Sequence, residues 1–367
     1  MVNLSKAYRG KRVFLTGHTG FKGSWLAEWL LLLGADVYGF ALDPEPQQTL
    51  FDQLSLGKRL TCDTRADVRD LCALANAVDH ARPHVVIHLA AQPLVRHSYD
   101  CPIETFGTNV MGTVHLLEAV RLFGQPCAVV CVTSDKCYEN REWAFAYREE
   151  DPMGGHDPYS GSKGAAELVI SSYRRAFFAR CDSPVRLASA RAGNVIGGGD
   201  WARDRIIPDC IRAFRQNEPA LIRNKGATRP WQHVLESLSG YLWLGARLLS
   251  AESSIDGLCG AFNFGPNSIS NRSVAELVDA LAVHLGGAWM DASDPSTRHE
   301  AFHLNVATEK AFHFLGWRAV WDFATTVRHT AEWYRCEGSG EPVHDLTVAQ
   351  IERYSEDARA FKVSWAL

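Results

Sequence analysis

The chain has 367 residues, of which 46% are hydrophobic, 22% charged and 10% aromatic. A chain of this length and apolar content builds its own cores, which excludes a disordered or disulfide-stapled polypeptide. The formal net charge is −4, from 38 Lys and Arg against 42 Asp and Glu, so the basic excess of a general nucleic-acid binder is missing. The densest apolar stretch, Trp25 to Leu33, carries Glu28 and is far shorter than the roughly 20 residues of a membrane span. The opening segment MVNLSKAYRGKR is polar and lacks the apolar region of a secretion signal. Ten cysteines contain no CxxC pair. Reduced thiols in a cytoplasmic protein are therefore expected, and a structural zinc site is not.

In chain order, Arg12 to Thr16 reads as a first strand, a β-branched and aromatic run that stops at Gly17. A helical pattern follows from Phe21 to Leu33, with Gly34 as its cap. Val37 to Leu42 reads as the second strand. Further helical patterns lie at about 66–80, 103–123, 159–178 and 233–250. Buried-strand candidates alternate with them at His84–Leu89, Ala128–Thr133, Val185–Ala190 and Ala261–Phe264. Continuous apolar strands alternating with helices predict an α/β fold, a doubly wound parallel sheet covered on both faces. Residues 191–232 break the rhythm with Gly197-Gly198-Gly199, Pro208, Pro219 and Pro230. Residues 1–192 plus about 233–264 are thus expected to form a large sheet domain. About 193–232 plus 265–367 are expected to form a smaller, mixed α/β substrate domain.

The first strand runs directly into Thr16-Gly17-His18-Thr19-Gly20-Phe21-Lys22-Gly23. Gly17 permits a tight turn, Gly20 lets a diphosphate approach the backbone, and Gly23 lets the helix pack close to the strand. The free N–H groups and dipole of the helix start favour the diphosphate of a dinucleotide. Asp43, about twenty residues on, would accept from an adenosine ribose, which favours NAD over NADP. Later in the chain, Tyr159 and Lys163 are four apart in a helical stretch that opens after Pro158, so they share one face. An ammonium beside a phenol stabilises the phenolate, and a phenolate can take a proton from a sugar hydroxyl.

The glycine turn, the region of Ser134 and the YxxxK pair together resemble the extended short-chain dehydrogenase/reductase family, which implies a Rossmann-like fold. Asp67-Val68, His88-Leu89-Ala90-Ala91-Gln92 and Asn109 in TNVMGT fit the same pattern. The segments GHTGFKGSWL, TSDKCYENREW, DPYSGSKGAAE, RAGNVIGGGDWARDR and RPWQHVLE are similar to the CDP-glucose 4,6-dehydratases. The similarity covers nearly the whole chain and weakens after about residue 320.

The resemblance implies a bound NAD contacted by Gly17, Thr19, Gly20, Phe21, Gly23 and Asp43. It adds Asp67, Val68, Leu89, Ala90, Ala91 and Asn109, with Tyr159 and Lys163 shared between cofactor and catalysis. It implies dehydration of CDP-D-glucose to CDP-4-keto-6-deoxy-D-glucose, with hydride moving from carbon 4 to carbon 6. Tyr159 would deprotonate the carbon-4 hydroxyl and Ser134 would hydrogen-bond that oxygen. Asp135 would be the acid at carbon 6, with a raised pKa. Lys136 would be the base at carbon 5, which requires a neutral amine and hence burial or a nearby cation such as Lys163 or Arg191. Gln92, Asn194, Arg205, Arg229, Arg298 and His299 would bind the sugar nucleotide, the arginines through its phosphates. A homo-oligomer, dimer or tetramer, built on the helices near 103–123 and 159–178 is the expected assembly.

Two alternatives belong to different readings of the same residues. A nucleotide-sugar 4-epimerase needs only Tyr159 and Lys163, and the Asp135-Lys136 pair argues against it. A catalytically silent dinucleotide-binding regulator is opposed by the presence of Ser134, Tyr159 and Lys163 together. His299-Glu300-Ala301-Phe302-His303 spells HExxH, yet zinc-protease chemistry needs a helix there. Pro295 lies just upstream, and Leu304-Asn305-Val306 reads as a strand. No metal is expected.

Overall fold

A computed structural model describes residues 3–44, 49–179, 183–250, 257–267, 270–293 and 303–367. Seven parallel strands form the central sheet: β1 (Arg12–Thr16), β2 (Asp36–Ala41), β3 (Cys62–Arg65), β4 (Val85–His88), β5 (Cys127–Val132), β6 (Val185–Ala192) and β7 (Ala261–Phe264). Their spatial order is β7-β6-β5-β4-β1-β2-β3. The chain runs outward from β1 in one direction and then returns to its other side. That reversal opens a crevice at the carboxyl ends of β1 and β4.

Successive strand residues point to opposite faces, and here both faces are buried. Val13, Leu15, Val85, Ile87, Ala128 and Val130 join one apolar core. Their neighbours Phe14, Val86, Val129 and Cys131 join the other. Helices α1 (Phe21–Leu32), α2 (Leu71–Ala81), α3 (Gly112–Phe123), α4 (Pro158–Tyr173), α5 (Ile206–Arg215) and α6 (Val234–Ser250) follow the expected rhythm. Leu74, Leu116 and Ile170 place α2, α3 and α4 on one face. Trp25, Leu26 and Leu238 place α1 and α6 on the other. Among the described residues no helix is long and apolar enough to cross a membrane.

Three expectations need correction. The second helix starts at Leu71, not at 66, because Asp70 caps it by accepting from the Ala73 amide at 3.0 Å. The polar run Cys62–Arg65 ahead of it forms edge strand β3 instead. The span 103–123 is a chain of pieces: Pro102–Phe106, a π-helical turn at Gly107–Met111, and α3.

The tail mixes both element types. Beyond short strands at Asn271–Ser273 and Trp289–Asp291, with α7 (Val274–Leu285) between them, it is helical in α8 (Glu309–Leu315), α9 (Phe323–Gly338) and α10 (Val343–Ala360). It packs back onto the sheet domain. Glu236 of α6 is fully buried. It accepts from the Val320 amide at 3.0 Å, the Trp321 amide at 2.6 Å and the Tyr354 hydroxyl at 2.8 Å. Burial pushes that carboxyl up to about 7, while these three donors favour its charged form. Trp29 of α1 meets Tyr354 edge-on at 5.8 Å.

Candidate active site

The carboxyl ends of the central strands open onto one cavity of about 1120 Å³. That exceeds the space a single small ligand usually needs. Four loops and α4 bring the expected residues together on its wall. The glycine turn supplies Gly17, Thr19, Gly20, Phe21 and Gly23, and the loop after β3 supplies Asp67 and Val68. Leu89, Ala90, Ala91 and Gln92 follow β4, and Ser134, Asp135 and Lys136 follow β5. Tyr159 and Lys163 come from α4, with Asn194, Arg205 and Arg229 on the remaining side.

The turn is as tight as its glycines require. Gly17 has φ +75°, and a Cβ there would lie 2.7 Å from the Ala90 amide nitrogen. A Cβ at Gly23 would meet the Gly17 carbonyl oxygen at 2.0 Å. At Gly20 the nearest atom to such a Cβ is 3.5 Å away, so the start of α1 stays open to a ligand. Thr16 braces the crossing: its hydroxyl oxygen accepts from the Leu89 and Ala90 amides, each at 3.2 Å, and meets His88 Nδ1 at 2.7 Å. Burial, and then the charge of Lys163, push His88 down to about 3.

Two expected cofactor residues stand apart from the wall. Asp43 is exposed beyond the end of β2. Asn109 is buried, and its amide is engaged inside the protein. It accepts from the Gln92 amide at 2.8 Å and donates to the Gln92 carbonyl at 3.1 Å and to Ser162 Oγ at 2.8 Å. Asn109 thus braces the loop that carries Gln92. The Gln92 side chain in turn donates to Thr105 Oγ1 at 2.8 Å and the Leu94 carbonyl at 3.1 Å. Asp67 holds Arg69, taking its Nη2 at 2.6 Å and its backbone amide at 2.8 Å. Arg298, His299 and Glu300 lie outside the described residues. His303, the last residue of the HExxH string, pairs its Nδ1 with Thr228 Oγ1 at 2.7 Å.

The expected acid–base groups sit just after β5 and at the start of α4. Ser134 caps the short turn Asp135–Cys137, accepting from the Lys136 amide at 3.2 Å. Its hydroxyl donates to Asp135 Oδ1 at 3.0 Å. Asp135 is 2% exposed. Burial pushes its carboxyl up, against the pull of Lys136, Ser134, Arg229 and Lys22. Position 193 must be small here, because a Cβ on Gly193 would lie 2.7 Å from Asp135 Oδ2. Burial pushes the Tyr159 phenol up to about 12, while the hydrogen bond with Ser134 and the charge of Arg205 lower it. Lys163 Nζ lies 5.9 Å from the Tyr159 ring centroid. Burial brings that amine down to about 8. Desolvation thus outweighs the groups that lower the phenol.

Arg191 has close partners of its own. It forms a buried pair with Glu167 at 2.7 Å and donates to the Tyr138 hydroxyl at 2.8 Å. Ser189 donates to the same carboxylate at 2.8 Å. This network anchors α4 to β6. Arg205 Nη1 pairs with Asp200 at 2.9 Å, and Arg229 is buried with its Nη1 on the Thr228 carbonyl at 2.8 Å. Lys22, inside the glycine motif, also lines the wall, and sequence reasoning gave it no role. It contacts the buried Tyr241 of α6.

A sequence profile of the GDP-mannose 4,6 dehydratase family matches residues 14–254. The chain is 46% identical over 352 residues to the CDP-glucose 4,6-dehydratase of Salmonella typhimurium, covering 95% of this chain and 97% of that one. It is 28% identical to a probable dTDP-glucose 4,6-dehydratase of Sinorhizobium fredii, over 88% of this chain and 92% of the relative. Among solved structures, MoeE5 in complex with UDP-glucose and NAD superposes with a TM-score of 0.74 at 26% identity, covering 89% of this chain and 99% of that chain. With the turn, the Tyr159–Lys163 pair and the Ser134-Asp135-Lys136 run on one cavity wall, these matches place the chain in the GDP-mannose 4,6 dehydratase family, among the extended short-chain dehydrogenase/reductases.

Proposed function

We propose that the chain dehydrates CDP-D-glucose to CDP-4-keto-6-deoxy-D-glucose with NAD as its retained cofactor. The observation that carries this reading is the buried Asp135 carboxyl, whose pKa burial raises, on the same wall as Tyr159 and Lys163. An epimerase has no use for such an acid. The cytidine preference and the hydro-lyase activity rest on the 46% identity to a CDP-glucose 4,6-dehydratase.

The residues present fit a dinucleotide, since the turn leaves open space at Gly20 and closes it at Gly17 and Gly23. A bound NAD would supply the two-electron acceptor that carries hydride from carbon 4 to carbon 6. The protein does the proton work. Tyr159 takes the carbon-4 hydroxyl proton, with Ser134 on the same oxygen and the charges of Lys163 and Arg205 favouring the phenolate. The carbon-4 ketone acidifies carbon 5, and Lys136 takes that proton. Asp135 protonates the carbon-6 hydroxyl, which leaves as water. Arg205 and Arg229 hold the diphosphate, with Gln92 and Asn194 beside the sugar.

We assign the sheet domain to the cofactor and residues 193–232 plus 265–367 to the sugar nucleotide. We place the protein in the cytoplasm, where thiols stay reduced; none of the nine described cysteines is in a disulfide. We also propose a homo-oligomer, dimer or tetramer. Ile103 at 89%, Met111 at 46% and Leu168 at 62% exposure leave apolar side chains uncovered along the segment 102–123 and α4. Light scattering of the purified chain should give at least twice the monomer mass; a monomer mass would reject this assembly.

The activity is tested by proton NMR with CDP-, dTDP-, UDP- and GDP-glucose in heavy water. A carbon-6 methyl signal with deuterium at carbon 5, from CDP-glucose alone, is expected. The same signal from another nucleotide would keep the mechanism and discard the substrate. A galacto-configured product would favour the epimerase.

A further inference from the structure

Lys22 is a third lysine that reaches the acid–base centre, and the mechanism above leaves it unused. It sits in the first turn of α1 and lines the cavity. Its Nζ donates to the Tyr241 hydroxyl at 3.2 Å and lies 5.6 Å from that ring's centroid. Tyr241 is fully buried in α6. A cation in the first turn of a helix opposes the helix dipole, and a desolvated amine is costly. Fold stability therefore gives no reason to hold one here.

The carboxyl whose charge Lys22 feels is Asp135. One of its oxygens takes the Ser134 hydroxyl at 3.0 Å. The other, Oδ2, is buried and has no hydrogen-bond partner among the described residues. The charged and titratable groups facing Asp135 come from every side. Lys136 adjoins it, Arg229 arrives from the strand Thr228–Pro230, Lys22 from α1, Tyr159 from α4 and Tyr241 from α6. Lys22 itself feels Arg205, Asp135 and Lys163.

Resting on the dehydratase reading, we propose that Lys22 is a positioning residue for Asp135: its ammonium, held by Tyr241, stabilises the carboxylate left when Asp135 protonates the departing hydroxyl. In that step the Asp135 proton forms a bond to the carbon-6 oxygen, and the carbon–oxygen bond breaks to release water. The carbon 5–hydrogen pair becomes the carbon 5–carbon 6 double bond, and its proton goes to Lys136. No outside reagent enters. The negative charge that appears on Asp135 is the one Lys22 faces. Burial, and then Arg205, bring the Lys22 amine down to about 7, so it takes up charge readily around neutral pH when a carboxylate forms beside it.

The test is the pH profile of kcat with CDP-glucose for wild type, Lys22→Met and Lys22→Arg, alongside the reduced-cofactor absorbance in a single turnover. Activity falls at high pH as the acid loses its proton. Without the ammonium, Asp135 keeps its proton longer, so Lys22→Met should move the basic limb to higher pH. It should also lower kcat about tenfold or more, while the absorbance change of the oxidation step persists. A guanidinium stays charged at every pH, so Lys22→Arg should move the limb to lower pH. Limbs that stay put in both variants, or move the same way, would overturn the proposal. Should Lys22→Met fail to fold, the Lys22→Arg comparison alone decides it. No methyl product from wild type with any nucleotide-glucose would sink the dehydratase reading instead, and this inference with it.

Discussion

Tyr159→Phe is expected to lower turnover by about a thousandfold or more, with NAD binding unchanged. The substitution removes one hydroxyl from a side chain that is 8% exposed and keeps its ring, so the packing of α4 survives. On the proposed mechanism it takes away the group that receives the carbon-4 proton. The Ser134 hydroxyl remains, but it is already committed to Asp135 at 3.0 Å and has no basic character to substitute. Burial pushes the phenol up to about 12, so the proposed phenolate depends on groups that lower it, Arg205 among them. Because the phenolate is the working form, wild-type oxidation of carbon 4 should speed up as pH rises through neutrality. The variant should lack that rise. Fluorescence titration with NAD and single-turnover absorbance separate the two effects. A variant with native turnover would remove Tyr159 from the mechanism.

Lys136→Ala should stop the cycle one step later. Oxidation at carbon 4 should proceed and the reduced cofactor should accumulate, while exchange of the carbon-5 proton with heavy water falls by about a hundredfold. Lys136 adjoins Asp135, and among the groups that pull that carboxyl down its charge ranks first. Removing it should therefore also leave Asp135 a weaker acid. The two roles give different signals. Loss of exchange marks the base; native exchange with slow loss of water would show that Lys136 only tunes Asp135.

The features legible in sequence were those written over short spans. Phe14 and Leu15 alternate between two apolar cores, which is why the strand reads as a continuous apolar run. Tyr159 and Lys163 share a face because they are four apart on α4. Strand β3 escaped because its residues, Cys62 to Arg65, are polar and only half-buried at the sheet edge. The helices of the tail escaped because their sequence is weakly patterned and their partners are distant: Tyr354 meets Glu236 118 residues away. Lys22 and Tyr241 are 219 residues apart, and no local spacing announces such a contact. Asn109 reads in sequence as a cofactor contact, and in the fold its amide braces Gln92. A buried amide bracing Gln92 and an amide touching a ligand look the same in a string of letters.

The glycine run at 197–199 has a consequence for how the protein comes into being. A Cβ on Gly198 would lie 1.9 Å from the Trp333 ring, and the Gly198 carbonyl accepts from Trp25 Nε1 at 2.9 Å. Trp333 Nε1 in turn donates to Thr347 Oγ1 at 3.0 Å. One wall of the cavity is thus clamped between a tryptophan near the start of the chain and a helix hairpin some 300 residues downstream. On the ribosome the sheet strands emerge in time to pair, but the clamp cannot close until α10 has left the exit tunnel. A nascent chain should therefore hold a formed sheet with an unformed binding crevice until α10 has emerged.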